Sequence, residues 1–526
     1  PTSTTPDATT KSSHLPIPCR QFAPHKSAPT PHEWFPAKFA PDPHAAHPTG
    51  AARVLTGGVN LAAQTTTPQD SAADVTVASI TGKAGSGKTV LLTRVAEALE
   101  AAGLEPIGGD YEPGRKRTRR SFAVLAPTNK AASVLRARGV QATTLHRIMY
   151  IPVYDPEYER IAQWLTEGGA RPTVEGVTDE MLDRAHAFYA LQKSIPAALA
   201  AAGLRGSDFI QGWKRRDDHL DVALIDEASM LDDKQFEDLK EIFGALFLFG
   251  DPAQLAPVGQ SGEMVFEKLP APARHTLNRI HRQTADSPIL DLAHALQDGV
   301  SFADFEAEIE RLAAQDDRII VAPRANPDLM ARAPMLVWRN ATRIRLIHAF
   351  RTAYAAPDDG LAPGEPLICD GIELPAKHRK KRIDLEARGL IKGAQVIYLG
   401  GGRKPGFARL HVVGAETPSI SAAAIIKIEA PGLDEPFIPA AARMGAAFVH
   451  GAATTMHKAQ GSQWPDVQIF APDLFAAAQS GRSEAGAPLW RRLAYVGVTR
   501  AQERLHWVTR WRMAKPERAL GIAPLS

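Results

Sequence analysis

Residues 75–89 read Val75-Thr-Val77-Ala-Ser-Ile80-Thr-Gly82-Lys-Ala-Gly85-Ser86-Gly87-Lys88-Thr89. An apolar run ends in a Gly-rich turn, and Leu91, Val95 and Leu99 follow at helical spacing, so the segment reads as strand, loop, helix. The turn fits G-x-x-x-x-G-K-[ST] in the context that this motif requires. Gly82, Gly85, Ser86 and Gly87 let successive backbone N–H groups converge on phosphate oxygens at a helix N-terminus. Lys88 is then placed to reach the β and γ phosphates, and the Thr89 hydroxyl to ligate Mg²⁺. The expected ligands are therefore ATP and Mg²⁺.

Working outward, apolar runs recur at Phe122–Ala126, Val222–Ile225 and Ala245–Phe249, separated by helix-length stretches. That is how a parallel sheet with crossover helices reads, because strands buried on both faces lose the polar alternation of a half-exposed sheet. Further runs at Met335–Trp338, Ala394–Leu399, Val467–Phe470 and Leu505–Val508 suggest a second α/β unit. No repeat of fixed period stands out. The run Val222-Ala-Leu-Ile-Asp226-Glu227 ends in adjacent carboxylates. Alone such a pair is a solvated strand end; downstream of a phosphate loop, Asp226 reads as part of the Mg²⁺ shell and Glu227 as the base that positions and deprotonates the attacking water.

The chain has 526 residues, 44% of them hydrophobic and 23% charged, which excludes a single small module and provides ample core. No apolar run approaches a membrane span. A net charge of +3 does not by itself indicate nucleic acid, because clustering and not the sum makes an electrostatic footprint. Basic runs occur at Arg115–Arg120 and Lys377–Arg382. Two distant cysteines, Cys19 and Cys369, build neither a disulfide framework nor a zinc site, and no secretory pattern opens the chain, so a reducing cytoplasm is expected. Residues 1–70 are rich in Pro, Thr, Ser, Ala and His and read as a flexible extension whose histidines lack metal-ligand spacing. For Trp338, Trp464 and Trp490 core packing is preferred over base stacking.

Several more segments follow in order: Ala126-Pro127-Thr128-Asn129-Lys130, Thr144-Leu-His146-Arg147, Gly250-Asp251-Pro-Ala-Gln254, Leu277-Asn-Arg-Ile-His-Arg282, Thr454-Thr455-Met-His457-Lys458-Ala-Gln460-Gly461 and Ala494-Tyr495-Val-Gly-Val-Thr499-Arg500-Ala501. With the phosphate loop and the acidic pair, this series resembles the superfamily 1 helicases, specifically their Dda-like and RecD-like branch, over roughly residues 75 to 510. The resemblance implies two tandem RecA-like P-loop NTPase domains of α/β class. It divides the chain into domain 1A (71–149 and 217–285), insertion 1B (150–216, a pin or wedge), domain 2A (286–365 and 446–526) and an SH3-like insertion 2B (366–445).

By the same resemblance, Gln254 couples the γ-phosphate state to DNA, and Arg282 and Arg500 complete the ATP site at the second domain or its border. Pro127, Thr128, Thr144, His146, Thr455, His457 and Lys458 contact single-stranded DNA, mostly through its phosphates. The implied activity is ATP-dependent unwinding with 5′-to-3′ movement. The interval between Gln283 and Thr455 accommodates a small 2B better than the large helical 2B of the opposite-polarity branch. Partners would be single-stranded DNA, single-strand/duplex junctions and replication or recombination proteins. An RNA or mixed-substrate helicase and an ATP-switched DNA-binding subunit stand as alternatives. No Gln occupies the family's adenine-contacting place, and residues 150–219 read as helical with no pin tip assigned.

Overall fold

In the computed structural model the described residues are 75–108, 111, 119–154, 156–192, 198, 199, 202, 210–257, 262–278, 287–296, 299–373, 384–386, 388–429 and 445–521. The extension 1–70, Arg282 and the run Lys377–Arg382 lie outside them, as does all of Arg115–Arg120 except Arg119 and Arg120.

The first sheet is wholly parallel, with strand order Glu105–Ile107, Ser121–Ala126, Leu220–Ile225, Phe243–Gly250, Thr76–Thr81, Arg274–Thr276, and Ala142–Thr144 also paired to Ser121–Ala126. Every residue of Ser121–Ala126 is buried, as the unbroken apolar run predicts for a strand covered on both faces. Helix Lys88–Ala101 covers one face through Leu92, Val95, Ala96 and Leu99, with Leu91 packed at the margin of the same core. The second parallel sheet has the order Ile319–Ala322, Ala501–Val508, Trp464–Phe470, Met335–Val337, Ala453–Thr455. Two α/β units of this kind are the tandem RecA-like architecture.

Between them in sequence lies a closed barrel of strands Pro366–Glu373, Gln395–Gly401, Phe407–Val412, Ser419–Lys427 and Gly445–His450. The run Ala394–Leu399, whose apolar pattern suggests the second α/β unit but which falls within the span 366–445 given to the SH3-like insertion, belongs to this barrel, where Val396 packs with Leu410, Ile426 and Phe448. The barrel's two ends are tied by Glu365, whose buried carboxylate meets His450 Nε2 at 2.9 Å and Arg351 Nε at 3.0 Å. Ala452 N–H donates to His450 Nδ1, so the ring carries its proton on Nε2 and donates it to Glu365. Burial would raise the Glu365 carboxyl, but the His450 hydrogen bond and Arg351 hold it below its ordinary range.

The interval 150–219 departs from the purely helical expectation. Helices Pro156–Glu167 and Asp179–Gln192 pack Ile161, Leu165, Leu182 and Ala185 into a small core of their own. They stand on a two-stranded ribbon, Tyr150–Tyr154 against Ile210–Arg215. Pro152 and Gly212 weaken the strand pattern in those segments, and the long intervening sequence hides their pairing.

Candidate functional site

The register of the first sheet assembles the site. Thr81 pairs with Gly250 and Ile225 with both Leu125 and Leu248, so these strands end at one edge and their next residues project together. Those residues are Gly82, Asp251, Asp226 and the segment opening at Pro127, with Gly82 N–H on Gly250 O at 3.2 Å and Asp226 N–H on Leu125 O at 2.9 Å. Gly85 (φ 82°) and Gly87 (φ 84°) take left-handed backbone conformations, which lets the loop turn tightly into helix Lys88–Ala101. Lys88 Nζ donates to the carbonyls of Gly82 (2.5 Å) and Lys83 (3.1 Å) and lies 3.7 Å from Asp251 Oδ2. Among the described residues the buried Ser86 hydroxyl has no hydrogen-bond partner, which leaves an acceptor-seeking group inside the loop.

Asp226 is 8% exposed, and burial, then the adjacent Glu227 carboxylate, push its carboxyl up to about 7. The hydrogen bond from the Glu227 backbone N–H, then Lys88 and Arg138, offset this only in part. Glu227 has a left-handed backbone (φ 52°), a strained conformation for a non-glycine residue and one that turns its side chain off the strand direction. Buried Asp226 and half-buried Glu227, at the same strand edge as the loop that carries the Ser86 hydroxyl and Thr89, fit a divalent cation and a polyphosphate.

Gln254 is 6% exposed, with its Oε1 3.5 Å from Ser229 Oγ just beyond the acidic pair. Its backbone carbonyl accepts from Arg492 Nη1 at 2.5 Å, and the same nitrogen donates to Pro252 O at 2.8 Å. Arg492 also donates to Glu484 O and Ala485 O, both at 2.7 Å, so the buried guanidinium bridges the Gln254 loop and a hairpin of the second unit. The exchange is mutual: Ala485 packs in the first sheet's core, and Leu255 in the second's. Arg500 is buried, and its guanidinium donates to Val496 O, Ser462 O and Thr499 Oγ1 at 3.0–3.1 Å. Burial lowers its pKa, while Glu227, Tyr495 and Asp251 lie near enough to favour its charge. The structure therefore brings Lys88, Asp226, Glu227, Gln254 and Arg500 into one neighbourhood.

The other expected contact residues occupy matching places on the two sheets. Thr128 caps helix Asn129–Arg136 by accepting from Ala131 N–H, and Thr455 caps Met456–Ala459 by accepting from Lys458 N–H. Thr144 opens helix Leu145–Met149 without a side-chain cap bond. Pro127 is half-buried between strand Ser121–Ala126 and Thr128. Ala142-Thr-Thr-Leu-His-Arg147 and Ala453-Thr-Thr-Met-His-Lys458 form equivalent strand-to-helix corners. In each corner the first Thr and the Leu or Met are buried, while the second Thr is half-buried. His146 and Lys458 are exposed, whereas burial lowers the pKa of the half-buried His457. Half-exposed Trp213 rises from the ribbon with its ring 4.2 Å from that of His146.

Sequence reasoning gave no role to Asp251, Ser229, Arg492, Tyr495 or Trp213. It also passed over the six-residue correspondence, which has no fixed period and becomes meaningful once both corners are seen at strand ends. Of the tryptophans, Trp490 is in the second unit's core, and Trp338 and Trp464 pack partly buried against it.

A Gly-rich phosphate loop at the edge of one parallel sheet, faced by a second such sheet, defines a tandem RecA-like P-loop NTPase. The family model described as "AAA domain" matches residues 60–322, half of the chain, and "UvrD-like helicase C-terminal domain" matches 450–508. The chain belongs to that AAA-domain family, and its C-terminal match is that of a UvrD-like, superfamily 1 helicase. No curated protein matches it significantly. Among solved structures it is similar to the Pif1 helicase from Candida albicans (15% identity, 88% of this chain and 95% of that one, TM-score 0.45). It is also similar to Pif1 from Bacteroides in complex with ADP-AlF3 and ssDNA (14% identity, 86% and 91%, TM-score 0.42).

Proposed function

We propose that the chain is an ATP- and Mg²⁺-dependent DNA helicase that moves 5′ to 3′ on single-stranded DNA and couples hydrolysis to duplex opening. The observation that carries this reading is the meeting of Lys88, Asp251 and Asp226 at the ends of adjacent strands, with Gln254 and the buried Arg500 at the junction of the two units. Mg²⁺, which Thr89 and Asp226 would hold, would supply neutralisation of phosphate charge. Gly82, Gly85, Ser86 and Gly87 shape the loop around phosphate, and Lys88 faces its oxygens. Glu227 positions the attacking water and takes its proton. Gln254 senses the γ-phosphate. Arg500, with Arg282 outside the described residues, stabilises transition-state charge once Arg500 leaves its present carbonyl partners.

Pro127, Thr128, Thr144 and His146 hold the strand on the first unit, and Thr455, His457 and Lys458 on the second. The equivalence of the two Thr-Thr-x-His corners supports this division, because two similar grips on two moving bodies are what stepping along a backbone requires. Residues 71–149 with 217–285 are assigned to 1A, 150–216 to 1B, 286–365 with 446–526 to 2A, and 366–445 to an SH3-like 2B. Among the described residues no helix is long and apolar enough to cross a membrane, and a cytoplasmic setting at single-strand/duplex junctions, alongside replication or recombination proteins, is part of the proposal.

The test is the ATPase of the isolated chain with no nucleic acid, with single-stranded DNA and with RNA of the same sequence. Stimulation by DNA supports the reading. Equal stimulation by RNA would move it to a mixed-substrate helicase, and no stimulation by either would overturn it.

A further inference from the structure

We infer that Tyr495 is a positioning residue of the nucleotide site. Its hydroxyl occupies Asp251, which keeps Lys88 available for phosphate, and it fastens the second unit to the phosphate loop at Ala84. The inference rests on the nucleotide-site reading above.

The Tyr495 hydroxyl donates to Asp251 Oδ2 at 2.8 Å and accepts from the Ala84 backbone N–H, also at 2.8 Å. Lys88 Nζ lies 3.7 Å from that same Oδ2 atom, while Asp251 Oδ1 accepts from Ala253 N–H. Tyr495 and Lys88 thus compete for one carboxylate oxygen. Asp251 is fully buried and Tyr495 only 2% exposed, so the competition takes place where a charge pair is strong and water is a poor substitute. With the hydroxyl in place, Lys88 rests on the loop carbonyls of Gly82 and Lys83, at the mouth of the loop. Without it, Lys88 is the nearest remaining side-chain partner of Asp251 Oδ2 among the described residues, and the carboxylate would draw the ammonium down from the phosphate position.

Ala84 N–H would lose its acceptor at the same time, leaving a backbone donor of the loop unsatisfied. Tyr495 sits in helix Leu489–Thr499, which also carries Arg492 and leads directly into Arg500. Its contact therefore joins the helix that bears the second unit's arginines to the loop that holds phosphate.

The experiment uses the full chain and the variants Tyr495→Phe and Tyr495→Phe with Asp251→Asn. Equilibrium binding of a fluorescent ATP analogue with Mg²⁺ is measured alongside amide hydrogen exchange of segment 82–89 without nucleotide. Tyr495→Phe should weaken analogue binding about tenfold and speed loop exchange by a similar factor, the scale of a lost hydrogen bond to a charged group. The double variant should regain most of the affinity, because the neutral amide that replaces the Asp251 carboxylate exerts no pull on Lys88, while loop exchange stays fast. Unchanged affinity and exchange in Tyr495→Phe would reduce the hydroxyl to a packing role and overturn the inference. A double variant weaker than Tyr495→Phe would overturn the competition for Lys88. If the unaltered chain bound no nucleotide, the nucleotide reading would fall, and loop exchange alone would still decide whether Tyr495 fastens Ala84.

Discussion

Replacing Asp226 by Asn should stabilise the folded chain above neutral pH while abolishing ATP hydrolysis. Burial and Glu227 place the Asp226 carboxyl at about 7, against 3.8 for the free group. The folded state therefore holds a proton that the unfolded chain has already released, so Asp226 makes the wild type progressively less stable as pH rises from about 4 to about 7. Above 7 the full penalty stands, because the ionised carboxylate is buried beside a like charge. At ~1.4 kcal/mol per pH unit, the interval from 3.8 to about 7 has a ceiling of roughly 4 kcal/mol. Local rearrangement, with Lys88 moving closer, should reduce this to about 2 kcal/mol. Asn does not titrate, and its Oδ1 can still accept the Glu227 N–H that now binds Asp226 Oδ1 at 3.0 Å.

The assay is thermal unfolding without nucleotide or divalent cation at pH 5 and pH 8. For a unit of this size, ~2 kcal/mol corresponds to a rise of roughly 4–8 °C in apparent Tm at pH 8. The gain should be much smaller at pH 5. A variant less stable at pH 8, or a gain independent of pH, would show that this carboxylate is not held at a cost that a bound cation relieves.

Lys88→Ala should abolish ATP hydrolysis and leave single-stranded DNA binding within about twofold, since the role proposed for the lysine is at phosphate and the proposed strand contacts lie on other corners; filter binding beside an ATPase assay checks both. Arg500→Ala should lower kcat by roughly 10³-fold or more with little change in nucleotide affinity, and a collapse in affinity with kcat retained would make it a ground-state ligand. Cys369 is buried in the barrel core, where burial pushes its thiol up to about 12, so it should resist an aqueous thiol reagent at pH 8 until the chain is denatured, as labelling and mass spectrometry would report.

Sequence and structure agree most closely where chemistry demands fixed local spacing. Gly82–Gly87 must lie between a strand and a helix, and Phe122–Ala126 must be apolar because helices cover both faces of its sheet. What was not legible depends on contacts between distant segments. Ala84 and Tyr495 are 411 positions apart, and no periodicity announces that one's amide meets the other's hydroxyl. Arg492 presents the same difficulty: its partners are all backbone carbonyls, so no complementary residue type marks them in the sequence.

The barrel was legible only in part. Phe407–Val412 and the first part of Ser419–Lys427 alternate buried with more exposed positions, but they fill the interior with small residues such as Ala408, Ala422 and Ala424, which carry a weak hydropathy signal, and the alternation is lost at Ala424–Ile426. The repeated Thr-Thr-x-His corner was open to reading and was missed for a different reason. Its two copies come from equivalent edges of two sheets and so have no periodic spacing, and a search for a constant interval passes over them.

The central claim, a motor that opens duplex DNA by moving 5′ to 3′, is tested most directly by ATP-driven strand displacement on two substrates with the same duplex, one bearing a 5′ single-stranded tail and the other a 3′ tail. The 5′-tailed duplex is expected to open with ATP and Mg²⁺, the 3′-tailed one to remain closed, and Lys88→Ala to open neither. Opening of the 3′-tailed substrate alone would contradict the assigned direction, and opening of neither by a chain that hydrolyses ATP would contradict the coupling of hydrolysis to unwinding.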